Sequence, residues 1–142
     1  MEEIFCEKKI FDAQLVNLYP ILIWIKERAY KYFPQKDLEK IELATEEAIV
    51  NIIKHAYRKT KGKIEIEILV DKKHFHLTFK DKGPKFNPLS VRKKVDETKS
   101  LKKRKEGGLG IFLIFECVDE VKYIRKDPYN ILTLQKKRNP MY

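Results

Sequence analysis

The sequence predicts an α+β fold, a two-layer sandwich in which a mixed, mostly antiparallel sheet carries its helices on one face. Two segments in the first half repeat their apolar residues at intervals of three and four, the period of a helix with one buried stripe. Several short segments instead alternate apolar and polar residues, the period of a strand with one buried face. Their order is strand, helix, helix, strand, strand, long connection, helix, strand, strand, which suits a layered domain.

Ile4 to Lys9 reads as the leading strand. From about Ala13 to Phe33, Leu15, Leu18, Leu22, Ile25, Ala29 and Tyr32 mark one helix face. Pro20 falls early, where it kinks the helix or marks its true start, and Pro34 stops it. The second helix runs from about Lys36 to Tyr57, with Asp37 as its expected cap and Leu38, Ile41, Ala44 or Thr45, Ala48, Ile52 and Ala56 as its stripe. Gly62 breaks the chain. Ile64, Ile66 and Ile68 then alternate with Glu65 and Glu67, and Phe75, Leu77 and Phe79 alternate after an Asp71-Lys72-Lys73 turn. Gly110 to Val118 reads as a third helix opened by glycines. Val121 to Arg125 and Ile131 to Lys136 read as closing strands, turned at Asp127-Pro128-Tyr129-Asn130.

A length of 142 residues fits one domain, and 43% hydrophobic content suffices for a core. No segment approaches the ~20 apolar residues that span a bilayer, and the Met1-Glu2-Glu3 opening is not that of a secretory signal. No membrane association and a cytoplasmic location are therefore expected. Cys6 and Cys117 lie far apart and form no Cys-x-x-Cys pair, so they read as buried, reduced thiols rather than zinc ligands. The net charge of +10 raises the question of nucleic acid. Residues 84–106 hold nine Lys/Arg against three acids, so +6 of the +10 sits in one connection. That is a loop feature, not a basic face, and no direct nucleic-acid binding is expected. A connection that long inside a compact domain is usually a lid or binding loop. The stretch 102–105 and the end of the chain after Lys136 have the composition of disordered segments.

Three constellations carry chemistry. On the second helix, Glu47 and Asn51 are one turn apart on the same face, and His55 continues the row. A carboxylate beside an amide can hold a hydrated Mg²⁺ and orient a nucleophile, although a solvated helix face has the same spacing. At the end of a strand, Asp81-Lys82-Gly83 offers a carboxylate that accepts from an exocyclic amine on a purine. Its glycine lets the backbone pass close to a ligand, although Asp-x-Gly turns are also common. Gly107-Gly108-Leu109-Gly110 precedes an apolar helix. Its free N–H groups and positive helix end favour phosphate, and a plain lid hinge would look the same. It is neither a Walker loop nor a dinucleotide fingerprint. The three together, in this order and with a basic loop between the last two, point to a Mg²⁺-ATP pocket more strongly than any one of them.

At this point the residues resemble a known family. The run from Leu43 to Tyr57 is similar to the N box of GHKL-type ATPases, and more narrowly to bacterial anti-sigma-factor serine kinases. The run from Asp81 to Pro88 is similar to their first glycine box. Gly107 to Ile114 is similar to the second, and Val118-Asp119-Glu120-Val121 continues the likeness. The resemblance implies a Bergerat-type ATP-binding fold. It implies Asn51 as the Mg²⁺ ligand and Asp81 as partner of the adenine amino group. Gly107, Gly108, Leu109 and Gly110 would hold the phosphates, with His55 and Gly83 also lining the nucleotide site. Glu47 would be the general base toward a substrate serine. One departure stands out: Lys85 occupies a position that usually carries a second glycine.

The expected protein is thus an ATP- and Mg²⁺-dependent serine kinase. It would act as an anti-sigma factor that binds a sigma factor and phosphorylates an antagonist protein. The alternative is an ATP-binding regulatory module that holds its partner without phosphorylating it. A sensor histidine kinase fragment is disfavoured, because 142 residues leave no room for a helical dimerisation segment with a phospho-accepting histidine. The resemblance also implies a homodimer. The expected layout is one ATPase domain over residues 1–142, with an ATP lid at 84–106 and a flexible tail at 138–142.

Overall fold

The computed structural model describes residues 3–57, 60–90 and 109–142, with Leu109 described by its backbone alone. Its elements are strand β1 (Glu3–Asp12), a 3-10 turn (Leu15–Asn17), helices α1 (Leu18–Ala29) and α2 (Gln35–Ala56), and strands β2 (Lys63–Asp71) and β3 (His74–Asp81). Helix α3 (Leu109–Cys117) and strands β4 (Glu120–Lys126) and β5 (Tyr129–Lys137) complete the chain. The sheet has five strands in the order β1-β2-β3-β5-β4, and each pairing is antiparallel.

The alternating patterns set the two faces of this sheet. Ile64, Ile66, Ile68 and Val70 of β2 are fully buried, as are Phe75, Leu77 and Phe79 of β3 to within 2%. Leu132 and Leu134 of β5 extend the same face. Against it pack Ile21, Trp24 and Ile25 of α1, Ile41, Ala44, Ala48 and Ile49 of α2, and Ile111 and Ile114 of α3, in one apolar cluster. At roughly 25 cal/mol per Å² of apolar surface removed from water, this shared face is the main stabilising term of the fold. The opposite sheet face is open, and Ile10 and Ile124 stand exposed on it.

Some expectations are corrected. Leu15 lies in the 3-10 turn before α1 and is 61% exposed, because the chain has not yet entered the helix whose stripe it was assigned to. Pro20 sits in the first turn of α1, where its missing N–H costs nothing. Asp37 is not the cap of α2. Pro34 holds that position, and Asp37 falls in the first turn, near the positive helix end. Cys6 is exposed, since strand alternation puts it on the open face, whereas Cys117 is buried. Asn130 is no turn residue: the chain reverses at Asp127-Pro128, and Tyr129 and Asn130 already belong to β5. The segment 138–142 is tied back at several points. The Arg138 N–H donates to Lys73 O, the Asn139 N–H donates to Tyr32 O, and the Arg138 guanidinium lies over the Tyr32 ring. Among the described residues no helix is long and apolar enough to cross a membrane.

Candidate nucleotide site

Helix α2 is buried along Ala44, Ala48 and Ile52, and this sets where its neighbouring stripe must face. Glu47 and Asn51 are half-buried and His55 is exposed, in one row running toward the C-terminal end of α2. The end of α2 is held by Tyr57, whose hydroxyl donates to Lys63 O and accepts from the Lys82 N–H. One phenol therefore ties α2 to the start of β2 and to the exit of β3.

Asp81 closes β3 and is 5% exposed. Its Oδ1 accepts from the Gly83 N–H at 2.8 Å and from Asn130 Nδ2 at 3.0 Å. Gly83 is buried against α2, and a β-carbon there would sit 2.5 Å from the Ala56 Cα. The glycine is thus required by the close approach of loop and helix. Asn130 Nδ2 also faces the carbonyl of Pro84 at 2.9 Å, while its Oδ1 accepts from the Phe86 N–H at 3.3 Å. One side chain so holds the backbone on both sides of exposed Lys85, the position where the family's usual glycine is missing. Arg125 on β4 adds a bond from Nη1 to Gly83 O at 2.7 Å.

At the other end of the row, Glu47 meets the first turn of α3. A β-carbon on Gly110 would collide with Glu47 Oε2, so the carboxylate lies directly against that glycine. Burial, with a smaller contribution from neighbouring Glu46, pushes the Glu47 carboxyl above its ordinary range. A carboxylate made more basic in this way is a better proton acceptor. Gly107 and Gly108 lie outside the described residues, as do residues 91–106 of the expected ATP lid.

Asn51, His55, Asp81, Phe86, Tyr123 and Asn130 line one cavity, which is only about 30 Å³. The Phe86 ring, stacked on His55, forms part of its wall. A larger cavity of about 720 Å³ lies beyond Asp81, walled by Ile10, Tyr57, Lys82 and Tyr129. It touches neither Glu47, Asn51 nor His55, so it is not the space these three share. The structure thus brings Asn51, His55 and Asp81 to one cleft, while Gly83 lines the larger cavity on the other side of Asp81. Glu47 stands one turn further along, beside Gly110.

Sequence reasoning missed Asn130, Tyr123 and Phe86. Phe86 reads only as part of the run similar to the first glycine box, Tyr123 only as part of a strand, and Asn130 only as part of a turn. Its cross-strand pairing with Asp81, and with Arg125 on the other side, appears only once the register is known.

The sequence matches the histidine kinase-like ATPase domain family over residues 11–136, and the chain belongs to that family. It is similar to curated proteins named serine-protein kinase RsbW. One, from Staphylococcus aureus, is 34% identical over 107 residues, covering 70% of this chain and 65% of the relative. Another, from strain MSSA476 of that species, is 36% identical over 92 residues, covering 60% of this chain and 57% of the relative. The chain thus spans about three fifths of these relatives' length. The crystal structure of the RsbU and RsbW domains of Rv1364c from Mycobacterium tuberculosis superposes with a TM-score of 0.65 at 15% identity. That match covers 96% of this chain and 33% of the other, and it shows a shared fold. The five-stranded sheet with its helical layer is therefore the Bergerat-type sandwich expected from the motifs.

Proposed function

We propose that this chain is an ATP- and Mg²⁺-dependent serine protein kinase that acts as an anti-sigma factor. It would bind a sigma factor and phosphorylate a serine on an antagonist protein. The observation that carries the catalytic half is the Glu47 carboxylate. It is half-buried, more basic than usual, and lies against the first turn of the helix that follows the glycine run. The names of the 34–36% identical relatives support the same reaction type. The sigma-factor and antagonist partners, and a homodimeric state, rest on the resemblance of the motifs.

The donor set suits the metal. Asn51 presents an amide oxygen, a hard ligand of the kind that Mg²⁺ prefers while it keeps several waters. When bound, the ion neutralises charge on the triphosphate. The chain's own residues do the rest. Asp81 accepts from the adenine amino group. The N–H groups at the start of α3 face phosphate. Glu47 accepts the proton of the incoming serine hydroxyl, whose oxygen then attacks the γ-phosphorus as the bond to the ADP oxygen breaks. Phosphoryl transfer needs little beyond positioning, charge neutralisation and an oriented nucleophile, and these residues supply the first and the last.

The test is transfer from γ-labelled ATP with Mg²⁺ to a candidate antagonist, followed by phosphoserine detection. Transfer by the wild type and its loss in Glu47→Ala, with nucleotide still bound, is expected. ATP binding without transfer to any antagonist supplied would favour the module that holds a partner and does no chemistry.

A further inference from the structure

We infer that Asn130 is a positioning residue for base recognition, fixing the Asp81 carboxylate so that the site selects a purine carrying an exocyclic amine over its 6-oxo counterpart. The inference rests on the nucleotide reading above and deepens it.

Asn130 is 6% exposed, on the core face of β5 directly across from Asp81. Its surroundings admit one orientation of the amide. The Nδ2 side faces three acceptors: Asp81 Oδ1 at 3.0 Å, Pro84 O at 2.9 Å and Gly83 O at 3.3 Å. The Oδ1 side faces two donors, the Phe86 N–H and the Tyr123 hydroxyl. A flipped amide would set oxygen against three oxygens and NH₂ against two donors. Burial pushes the Tyr123 phenol up, so it stays protonated and keeps donating.

The consequence falls on Asp81. Its Oδ1 is taken by the Gly83 N–H and by Asn130, and Oδ2 takes neither. A carboxylate held through one oxygen presents the other in a fixed direction. Asp81 borders the cleft shared with Asn51 and His55. As an ionised group Oδ2 can only accept, so it rewards an N–H donor and repels a carbonyl oxygen. A polar group built to receive a donor rejects the analogue that lacks it. Without Asn130, the carboxylate keeps only the Gly83 bond and is free to rotate.

Calorimetry of the full chain with ATP and with ITP tests this, alongside circular-dichroism melts. Wild type is expected to prefer ATP to ITP by at least about tenfold. In Asn130→Ala, ATP affinity is expected to fall toward that of ITP while ITP itself changes little, so the ratio collapses. Tyr123→Phe, which removes one bond from Asn130 and leaves the ring, is expected to lower the ratio in part and keep the fold. It decides the matter if Asn130→Ala does not fold. An unchanged ATP/ITP ratio in the folded variant, or an equal fall for both nucleotides, would overturn the inference and leave Asn130 a purely structural residue. Failure of the wild type to bind either nucleotide would instead remove the ATP reading itself.

Discussion

The ring of Phe86 lies flat against the imidazole of His55, with centroids 4.0 Å apart and planes 9° from parallel. The pair joins the loop after β3 to the last turn of α2, across the cleft that Asn51 and Asp81 also line. Nucleotide-sized ligands need a few hundred Å³ at least, and the cleft offers about 30 Å³. We predict that Phe86 leaves its place on His55 when a nucleotide enters.

Phe86→Ala removes that plug. A ligand that binds only the open form is weakened by the fraction of time the site is closed, and removing the plug lifts that penalty. ATP is expected to associate about two- to tenfold faster, with the gain appearing in the on-rate. Stopped-flow measurements with a fluorescent ATP analogue check this. An unchanged or slower on-rate would show that the stack does not gate the cleft.

Glu47→Gln keeps the size of the side chain and removes its basicity. Phosphotransfer is expected to fall by about 10²- to 10⁴-fold with ATP affinity little changed. In the wild type the rate should rise with pH on a limb centred above 4.5, the ordinary glutamate value, because burial raises this carboxyl. The sign for stability is opposite. A raised carboxyl favours its neutral form in the fold, so its contribution is present at low pH and lost as pH rises through the raised value. Glu47→Gln should thus be no less stable than wild type at neutral pH. A limb at or below 4.5, measured under single-turnover conditions, would contradict the assignment.

Gly110→Ala acts on the same carboxylate from the other side. The added methyl runs into Glu47 Oε2, which is the mobile end of a side chain, so the chain can fold by swinging Glu47 away. Transfer is expected to drop at least about tenfold through misplacement, while the thermal midpoint changes little. Equal kinetics in Gly110→Ala and wild type would mean that the position of Glu47 against α3 does not matter to the reaction.

Asp71 tests the far end of the sheet. Burial alone would raise its carboxyl, but bonds from His76 Nε2 at 2.8 Å and from the N–H groups of Lys73 and His74 outweigh this and bring it down from 3.8 to about 2. A depressed carboxyl stabilises the fold above its unfolded value, and the contribution is lost as pH falls from about 4 toward about 2. Asp71→Asn is expected to lower the melting temperature at pH 7 by on the order of 5 °C, with the gap to wild type closing over that acid window. A gap that stays constant down to pH 2 would show that the ionised form of Asp71 contributes nothing.

Local periodicity was enough to read the strands and helices, because burial of one face imposes it residue by residue. Ile64, Ile66 and Ile68 alternate and α2 repeats at three and four whatever their partners are. Part of the candidate site's layout was legible for the same kind of reason. Glu47, Asn51 and His55 share a helix face by spacing alone, and Asp81, Gly83 and Gly110 stand where side-chain type and chain ends limit the options. The exposure of Leu15 and Cys6 and the place of Asn130 were not legible, since each depends on where an element begins or which strand lies beside it. Tertiary structure decided the antiparallel order β1-β2-β3-β5-β4, and with it the pairing of Asn130 with Asp81 across strands 49 residues apart. It also decided that Glu47 rests on Gly110 and that Phe86 closes on His55. These contacts join residues far apart in the chain. They are set by how helix and loop pack over the sheet, which no short-range pattern encodes.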